Sequence, residues 1–167
     1  MGCRAAHSCD KVGNSLYIFG GWNGKKALND LYVLDLDKLI CPTVDNSSSV
    51  PQPVEMSYVN QSTSNEPETF GPTPACRNNH TTAVHGDKIY FHGGHDGNSW
   101  LDDLYLLNTS SLVWSKPKVG GQKPSARACH TMSRVGRKLY MFGGYDGEKC
   151  FNDIDILDLD TMTWISP

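Results

Sequence analysis

The chain lacks any apolar run approaching the roughly 18–20 residues that a membrane helix needs. Its opening, MGCRAAHSCD, has no apolar core of the signal-peptide kind. It begins Met-Gly but has Ala6 where the myristoylation pattern wants Ser or Thr. The six cysteines, at 3, 9, 41, 76, 129 and 150, form neither a CxxC pair nor a tight zinc spacing. They read as reduced thiols of a cytoplasmic protein, so the sequons at Asn46, Asn60, Asn79 and Asn108 are expected to stay unmodified. An excess of positive charge is also missing: 15 Lys and Arg stand against 18 Asp and Glu, a formal net charge of −3. The basic pairs Lys25-Lys26 and Arg137-Lys138 are isolated, which argues against a nucleic-acid or membrane-surface partner. GGWNG has no following Lys-Ser/Thr and no strand-to-helix context, so it is no phosphate loop.

Repetition is what the chain does have. LYIFGGWNGKKALNDLYVLDL (16–36), IYFHGGHDGNSWLDDLYLLNT (89–109) and LYMFGGYDGEKCFNDIDILDL (139–159) align without a gap. Their glycine pairs are Gly20-Gly21, Gly93-Gly94 and Gly143-Gly144. Thirteen residues before each first glycine stands His7, His80 or His130, and sixteen before stands Arg4, Arg77 or Arg127. Ten after it comes Asp30, Asp103 or Asp153. Trp114 and Trp164 close the second and third units, 50 residues apart, with Cys41 at that phase in the first. The period is 50 once a 23-residue insertion between the first two units is removed.

This phase agreement decides what His92-Gly-Gly-His95 means. His92 takes the place of Phe19 and Phe142, and His95 that of Trp22 and Tyr145. The glycine pair therefore belongs to a scaffold, since the sister units keep it without the histidines. His92, His95 and Asp96 still form an alternative metal set, which lacks an evident third firm ligand. The bland reading is a core histidine at 92 and an exposed loop histidine at 95. Ser8, His7 and Asp10 are adjacent, but no Ser-His-Asp, carboxylate-pair or Cys-His arrangement stands apart from the repeat itself.

Each unit reads as four short strands. The first follows Arg-x-x-His and turns at Gly13-Asn14, Gly86-Asp87 or the less typical Gly136-Arg137. The second and third are apolar on both faces, which implies a sheet covered on both sides. Two departures stand out. Asp155 replaces the tyrosine of Tyr32 and Tyr105, so it must be paired or lie on an open face. Cys41 replaces the tryptophan, so the first unit's outer strand is expected to be thin.

Arg-x-x-His, an apolar run, Gly-Gly, then spaced Tyr and Trp resemble the kelch repeat. The style is closer to the leucine-zipper-like regulator and Rab-effector type than to ubiquitin-ligase adaptors with degenerate repeats. The resemblance implies an all-β fold, a kelch-type β-propeller of four-stranded antiparallel blades. The three units divide the chain into repeat 1 (1–41), an insertion (42–73), repeat 2 (74–117) and repeat 3 (118–167). Three blades cannot close a ring. The expectation is a partial propeller cut from a longer protein, or two copies pairing as a homodimer with six blades.

The resemblance also implies a protein-interaction scaffold: substrate recognition for a ubiquitin ligase, actin binding or effector scaffolding. A few kelch-like propellers are copper oxidases or sugar epimerases, but no metal set here matches them, and neither catalysis nor a cofactor is expected. Strand parity puts the loops after the glycine pairs on one face: Trp22, Asn23, Lys25 and Lys26, then His95, Asp96, Asn98 and Trp100, then Tyr145, Asp146, Glu148 and Lys149. Their aromatic, mixed-charge composition suits recognition of a protein partner. The insertion is rich in Pro, Ser, Asn and Gln and is expected to be mobile, with Tyr58 or Phe70 as anchors if it binds anything.

Overall fold

A computed structural model describes residues 1–38 and 64–167. These form three sheets with no α-helix among the described residues. The first sheet runs β1 (Ser8–Val12), β2 (Ser15–Trp22), β3 (Ala27–Asp35) and β4 (Ser64–Asn65), with a single 3-10 turn at Leu36–Lys38. The second runs β5 (Thr81–His85), β6 (Lys88–His92), β7 (Leu104–Asn108) and β8 (Val113–Ser115). The third orders β10 (Thr131–Val135), β11 (Lys138–Phe142), β12 (Ile154–Asp158) and β13 (Thr163–Ile165), with β9 (Gly120–Gly121) parallel to β13 at its edge.

The three hairpins Gly13-Asn14, Gly86-Asp87 and Gly136-Arg137 share one geometry: φ is positive at the glycine only, the type II′ pattern. Gly136-Arg137 therefore turns as the other two do. Expectation and structure part at the insertion. Its last residues join the sheets: β4 pairs with β3 through Asn65 and Val33, and Phe70 bridges Val113 in parallel. Phe70 is thus an edge residue of the second sheet, where Gly120 sits in the third. The outer strand of the first sheet comes from 64–65, after the insertion's longest stretch, so a scan for a tryptophan at the fixed phase cannot find it. Cys41 and Tyr58 lie outside the described residues.

Strand alternation gives each sheet two apolar faces. Tyr17, Phe19 and Leu31 of the first sheet pack on Ile89, Phe91, Leu107 and Trp114 of the second. Ala83, Tyr90 and Leu104 on the second sheet's other face pack on Met132, Leu139, Leu157 and Trp164 of the third. The sheets therefore stack as the blades of a partial kelch-type propeller, and among the described residues only the middle blade packs against another sheet on both faces.

The backbone repeats at each junction as well. Arg77 donates its N–H to the Leu28 carbonyl at 2.8 Å and accepts from Gly21 at 2.8 Å, while Asn79 donates to Ala6 at 3.0 Å. One blade on, Arg127 donates to Leu101 at 3.0 Å and accepts from Gly94 at 2.9 Å, while Cys129 donates to Asn79 at 2.9 Å. This lattice explains the first glycine of the first two pairs, Gly20 and Gly93. Gly20 has φ +64°, and a Cβ there would stand 2.7 Å from the Arg77 carbonyl oxygen of the next blade. Such an approach excludes any side chain.

Candidate functional site

The loops between second and third strands rest on a clamp that repeats in every blade. Arg4 binds both carboxylate oxygens of Asp30 at 2.7 and 2.8 Å. Arg77 holds Asp103 at 2.7 and 3.2 Å, and Arg127 holds Asp153 at 2.6 and 2.9 Å. Each guanidinium also donates to the first glycine carbonyl of its own blade, at 2.9, 3.0 and 3.0 Å. A planar fork matches carboxylate geometry as an ammonium cannot, which is why this position needs arginine. Arg127 pulls the Asp153 carboxyl below the usual carboxylate range, and the bond to Asp30 raises Arg4. The repeat's arginines, glycines and aspartates are thus one device that fixes both ends of each loop.

The guanidiniums of Arg4 and Arg77 face the rings of Tyr32 and Tyr105 at 5.1 and 5.4 Å. Asp155 stands where the third tyrosine would be, and Arg127 sits over Phe151 instead, 3.9 Å from its centroid. Asp155 is buried and paired: Ser166 donates its hydroxyl at 2.5 Å, and an Arg127 nitrogen lies 3.8 Å away.

On this base the loops themselves are three copies of one turn. The side-chain oxygen of Asn23 accepts the N–H groups of Lys25 and Lys26 at 3.0 and 2.9 Å. Asp96 accepts from Asn98 and Ser99, both at 2.7 Å, and Asp146 from Glu148 and Lys149 at 3.0 and 2.8 Å. These bonds favour the ionised carboxylate and lower both aspartates from their ordinary value, chiefly through Asn98 and Lys149 respectively. Asn23, Asp96 and Asp146 are therefore turn-formers, while Trp22, Lys25, Lys26, Asn98, Tyr145, Glu148 and Lys149 point outward and are exposed.

Two loops meet through Trp100. Its indole is half-buried between His95, at a ring separation of 4.6 Å, and Tyr145 of the next blade, at 6.4 Å. Gly147 makes room for it: a Cβ there would collide with the Trp100 ring. Tyr145 is held by its own hydroxyl, which donates to the Gly147 carbonyl at 2.6 Å. His95 is a loop residue as expected, but half-buried against Trp100 where full exposure was expected, and its Nδ1 accepts the Gly97 N–H at 3.1 Å. Trp22 stays apart from this cluster on the first loop, 37% exposed. The face carries Lys25 and Lys26 on the first loop, Asp96 on the second, and Asp146, Glu148 and Lys149 on the third.

The structure does not bring His92, His95 and Asp96 together. His92 is wholly buried at the junction of the second and third blades, its Nδ1 3.1 Å from His130 Nε2. Burial, with His130 beside it, holds its pKa well below the ordinary imidazole value. Among the described residues no three His, Cys, Asp or Glu side chains form a cluster that could hold a metal. A cavity of about 500 Å³ lies elsewhere, between Lys123, Arg127, Asp153, Asp155 and Ser166 at the open edge of the third blade. The corresponding space at the second blade is about 180 Å³ and is walled by Lys123 and Trp164. The cavity is a blade edge left uncovered and shares no residue with the aromatic cluster.

Comparison with known proteins agrees with this architecture. Residues 54–167 match a family profile described as the KLHDC2/KLHL20/DRC7 Kelch-repeats domain, and residues 3–39 match the Kelch motif. The acyl-CoA-binding domain-containing protein 5 of Arabidopsis thaliana is 31% identical over 115 residues, 68% of this chain and 14% of that protein. The Rab9 effector protein with kelch motifs of Danio rerio is 33% identical over 60% of this chain and 23% of its own length. The Rho GTPase-activating protein gacHH of Dictyostelium discoideum is 29% identical over 67% and 6% respectively. The chain thus spans less than a quarter of each of these relatives. Three in-phase blades, each with its arginine clamp and glycine pair, together with these matches, place the chain in the kelch-repeat family.

Proposed function

We propose that this chain is a non-catalytic scaffold that recognises a protein partner through the loops after the glycine pairs. The observation that carries the reading is the Trp100 cluster. Identical turns on like clamps present unlike side chains, and the rings of His95, Trp100 and Tyr145 meet across two blades. Aromatic anchors with little rotamer freedom and a rim of mixed charge suit a protein interface. An acidic partner segment over Lys25 and Lys26 suits the first loop, where the exposed charge is of one sign.

Of the roles open to such a scaffold, linkage to a small GTPase is favoured over ubiquitin-ligase substrate recognition or actin binding. One relative is named a Rab9 effector and another a Rho GTPase-activating protein. A cytoplasmic setting goes with this reading: Cys3, Cys9, Cys129 and Cys150 are exposed unpaired thiols.

Titration of Rab- and Rho-family GTPases, loaded with a GTP analogue or GDP, tests it by calorimetry against the wild type, Trp22→Ala and Trp100→Ala. The expected outcome is binding to the GTP-analogue form that weakens at least tenfold in Trp100→Ala. Equal binding by all three proteins excludes the loop face as the contact surface. No binding to any GTPase removes the effector role.

A further inference from the structure

The loops after the glycine pairs share one turn, but only the first carries an amide at the turn-forming position. Asn23 precedes Gly24 there, where Asp96 precedes Gly97 and Asp146 precedes Gly147. No other asparagine in the sequence is followed by glycine. The backbone nitrogen of the next residue can close a five-membered ring on an asparagine Cγ, and glycine, without a Cβ, obstructs that approach least.

The surroundings of this dipeptide favour the ring closure. Asn23 and Gly24 are both exposed, and nothing stands within 4 Å of where a Cβ on Gly24 would be. Lys25 and Lys26 donate their N–H groups to Asn23 Oδ1 at 3.0 and 2.9 Å. Two donors on that oxygen stabilise the charge it gains when a nucleophile adds to Cγ, as the donors of an oxyanion hole do. Among the described residues the Gly24 N–H has no hydrogen-bond partner. In the second loop the Gly97 N–H is tied to His95 Nδ1 at 3.1 Å. Trp22 takes the place of His95 in the first loop, and an indole offers no acceptor. In the third loop the Trp100 ring covers Gly147.

We infer that Asn23 is a site of spontaneous deamidation, at which water converts the first loop to the aspartyl turn that the other two already have. The Gly24 nitrogen bonds to Asn23 Cγ and gives up its proton to solvent. The Cγ–Nδ2 bond breaks, and the amide leaves as ammonia with a proton taken from water. Water then opens the succinimide: cleavage of its N–Cγ bond gives aspartate, and cleavage of the other ring C–N bond gives isoaspartate. The net change consumes water and releases ammonia, with nothing oxidised or reduced. The aspartyl product fits the loop, since Asp96 and Asp146 accept the same two N–H groups at 2.7 to 3.0 Å. The isoaspartyl product inserts an extra backbone atom into the turn. Either product adds a carboxylate beside Lys25 and Lys26. Conversion therefore lowers the positive charge that an acidic partner segment would meet there, on the reading proposed above.

Peptide mapping is the test. The purified chain is held at mildly alkaline pH, sampled over days and digested with trypsin. Tandem mass spectrometry then follows Asn14 and Asn23 in the peptide Val12–Lys25, and Asn98 in its own peptide. Asn14 and Asn98 are the comparators, since both are exposed and each precedes a serine. Asn23 is expected to convert to aspartate and isoaspartate at least tenfold faster than either. Trp22→His gives the Gly24 N–H the acceptor that Gly97 has, and is expected to slow conversion at least threefold. Asn23→Asp is expected to keep the wild-type urea midpoint and near-ultraviolet dichroism. An Asn23 that converts no faster than Asn98 overturns the inference. So does an Asn23→Asp chain that unfolds at lower urea, because the product would then not fit the turn. Conversion of Trp22→His at the wild-type rate overturns the part assigned to the free Gly24 N–H. None of these readouts uses a partner, so their failure is distinct from a failure of the GTPase titration.

Discussion

At the junction of the first and second blades, Phe19 meets Phe91 and Trp114 at ring separations of 5.3 and 5.1 Å, and His80 caps the cluster by binding Ser8 at 2.9 Å. At the junction of the second and third, His92 fills the place of Phe19, and its partner is His130. The backbone bonds beneath are the same three in both. The lattice therefore sets how blades approach, and the side chains set how firmly they hold. The first junction is an aromatic cluster with one satisfied imidazole nitrogen. The second buries two imidazoles against each other where the first sets one imidazole against an aromatic ring. Both junctions leave buried polar atoms without a partner among the described residues, Asp10 Oδ2, His80 Nδ1 and Trp114 Nε1 at the first and His92 Nε2, His130 Nδ1 and Trp164 Nε1 at the second. The difference is the extra imidazole in the place of Phe19, a polar ring that costs more to take out of water, so the second junction is the weaker although its backbone geometry is equal.

The largest expected effect tests that ranking. Phe19→Ala removes a fully buried ring from the first junction and should lower stability by about 3–5 kcal/mol, read as a shift of the urea midpoint. His92→Ala removes a smaller and partly unsatisfied group and should cost clearly less. Equal losses would mean that the two junctions are energetically alike and that the imidazole pair is as good a filler as the aromatic cluster.

Acid should separate the junctions further. Burial pushes His80 down to about 3 and His130 to about 4, each with a nearby arginine adding to the effect, and His92 lies well below its ordinary value. All three remain neutral in the folded chain at pH values where the unfolded chain, with imidazoles near 6.5, takes up protons. Their stabilising contribution is complete above about pH 6.5 and is lost as pH falls from there toward 4. For His130 alone the window corresponds to roughly 3 kcal/mol. Two of the three sit at the second junction. His92→Phe makes that junction resemble the first, with Thr81 in the place of Ser8, and should raise stability at pH 7. It should also reduce the pH slope between 6.5 and 4 by up to one proton, about 1.4 kcal/mol per pH unit. Urea titrations at pH 7, 6 and 5 measure the slope, and an unchanged slope would remove His92 as a source of the weakness.

The contrast between junctions was half visible in the sequence. Phase agreement across three units places nearly every strand and turn, because the apolar positions and glycine turns recur at fixed offsets, and it identifies His92 as a core position. It does not show that His92 meets His130, since that contact joins different units 38 residues apart. Nor does it show that the arginine and aspartate of one unit, 26 residues apart, are a single clamp. The loop face was legible as a set of loop positions, but not that three of them, Asn23, Asp96 and Asp146, also hold the turn. Asn or Asp two residues before the backbone it caps is a local signal that could have separated them. The Trp100 contact with Tyr145 had no signal, because it depends on the space left by Gly147 in the neighbouring blade. The outer strand Ser64–Asn65 is too short and too polar to show any period.

The smallest expected effect concerns the residue just before each repeat histidine. Ala6, Asn79 and Cys129 all adopt left-handed backbone, with φ of 53°, 53° and 59°. The conformation is required because this residue's own N–H reaches back to the preceding blade, Asn79 to Ala6 and Cys129 to Asn79. The first junction is made with asparagine, which tolerates that region, and the second with cysteine, which pays about 1 kcal/mol or more of steric strain there. Cys129 is exposed, so replacing it disturbs no packing. Cys129→Asn should therefore stabilise the chain by about 0.5–1 kcal/mol, and Asn79→Cys should destabilise it by a similar amount, both measured from urea midpoints at pH 7. If the two exchanges shift stability in the same direction, backbone strain does not distinguish the junctions, and the whole of their difference lies in Phe19 against His92.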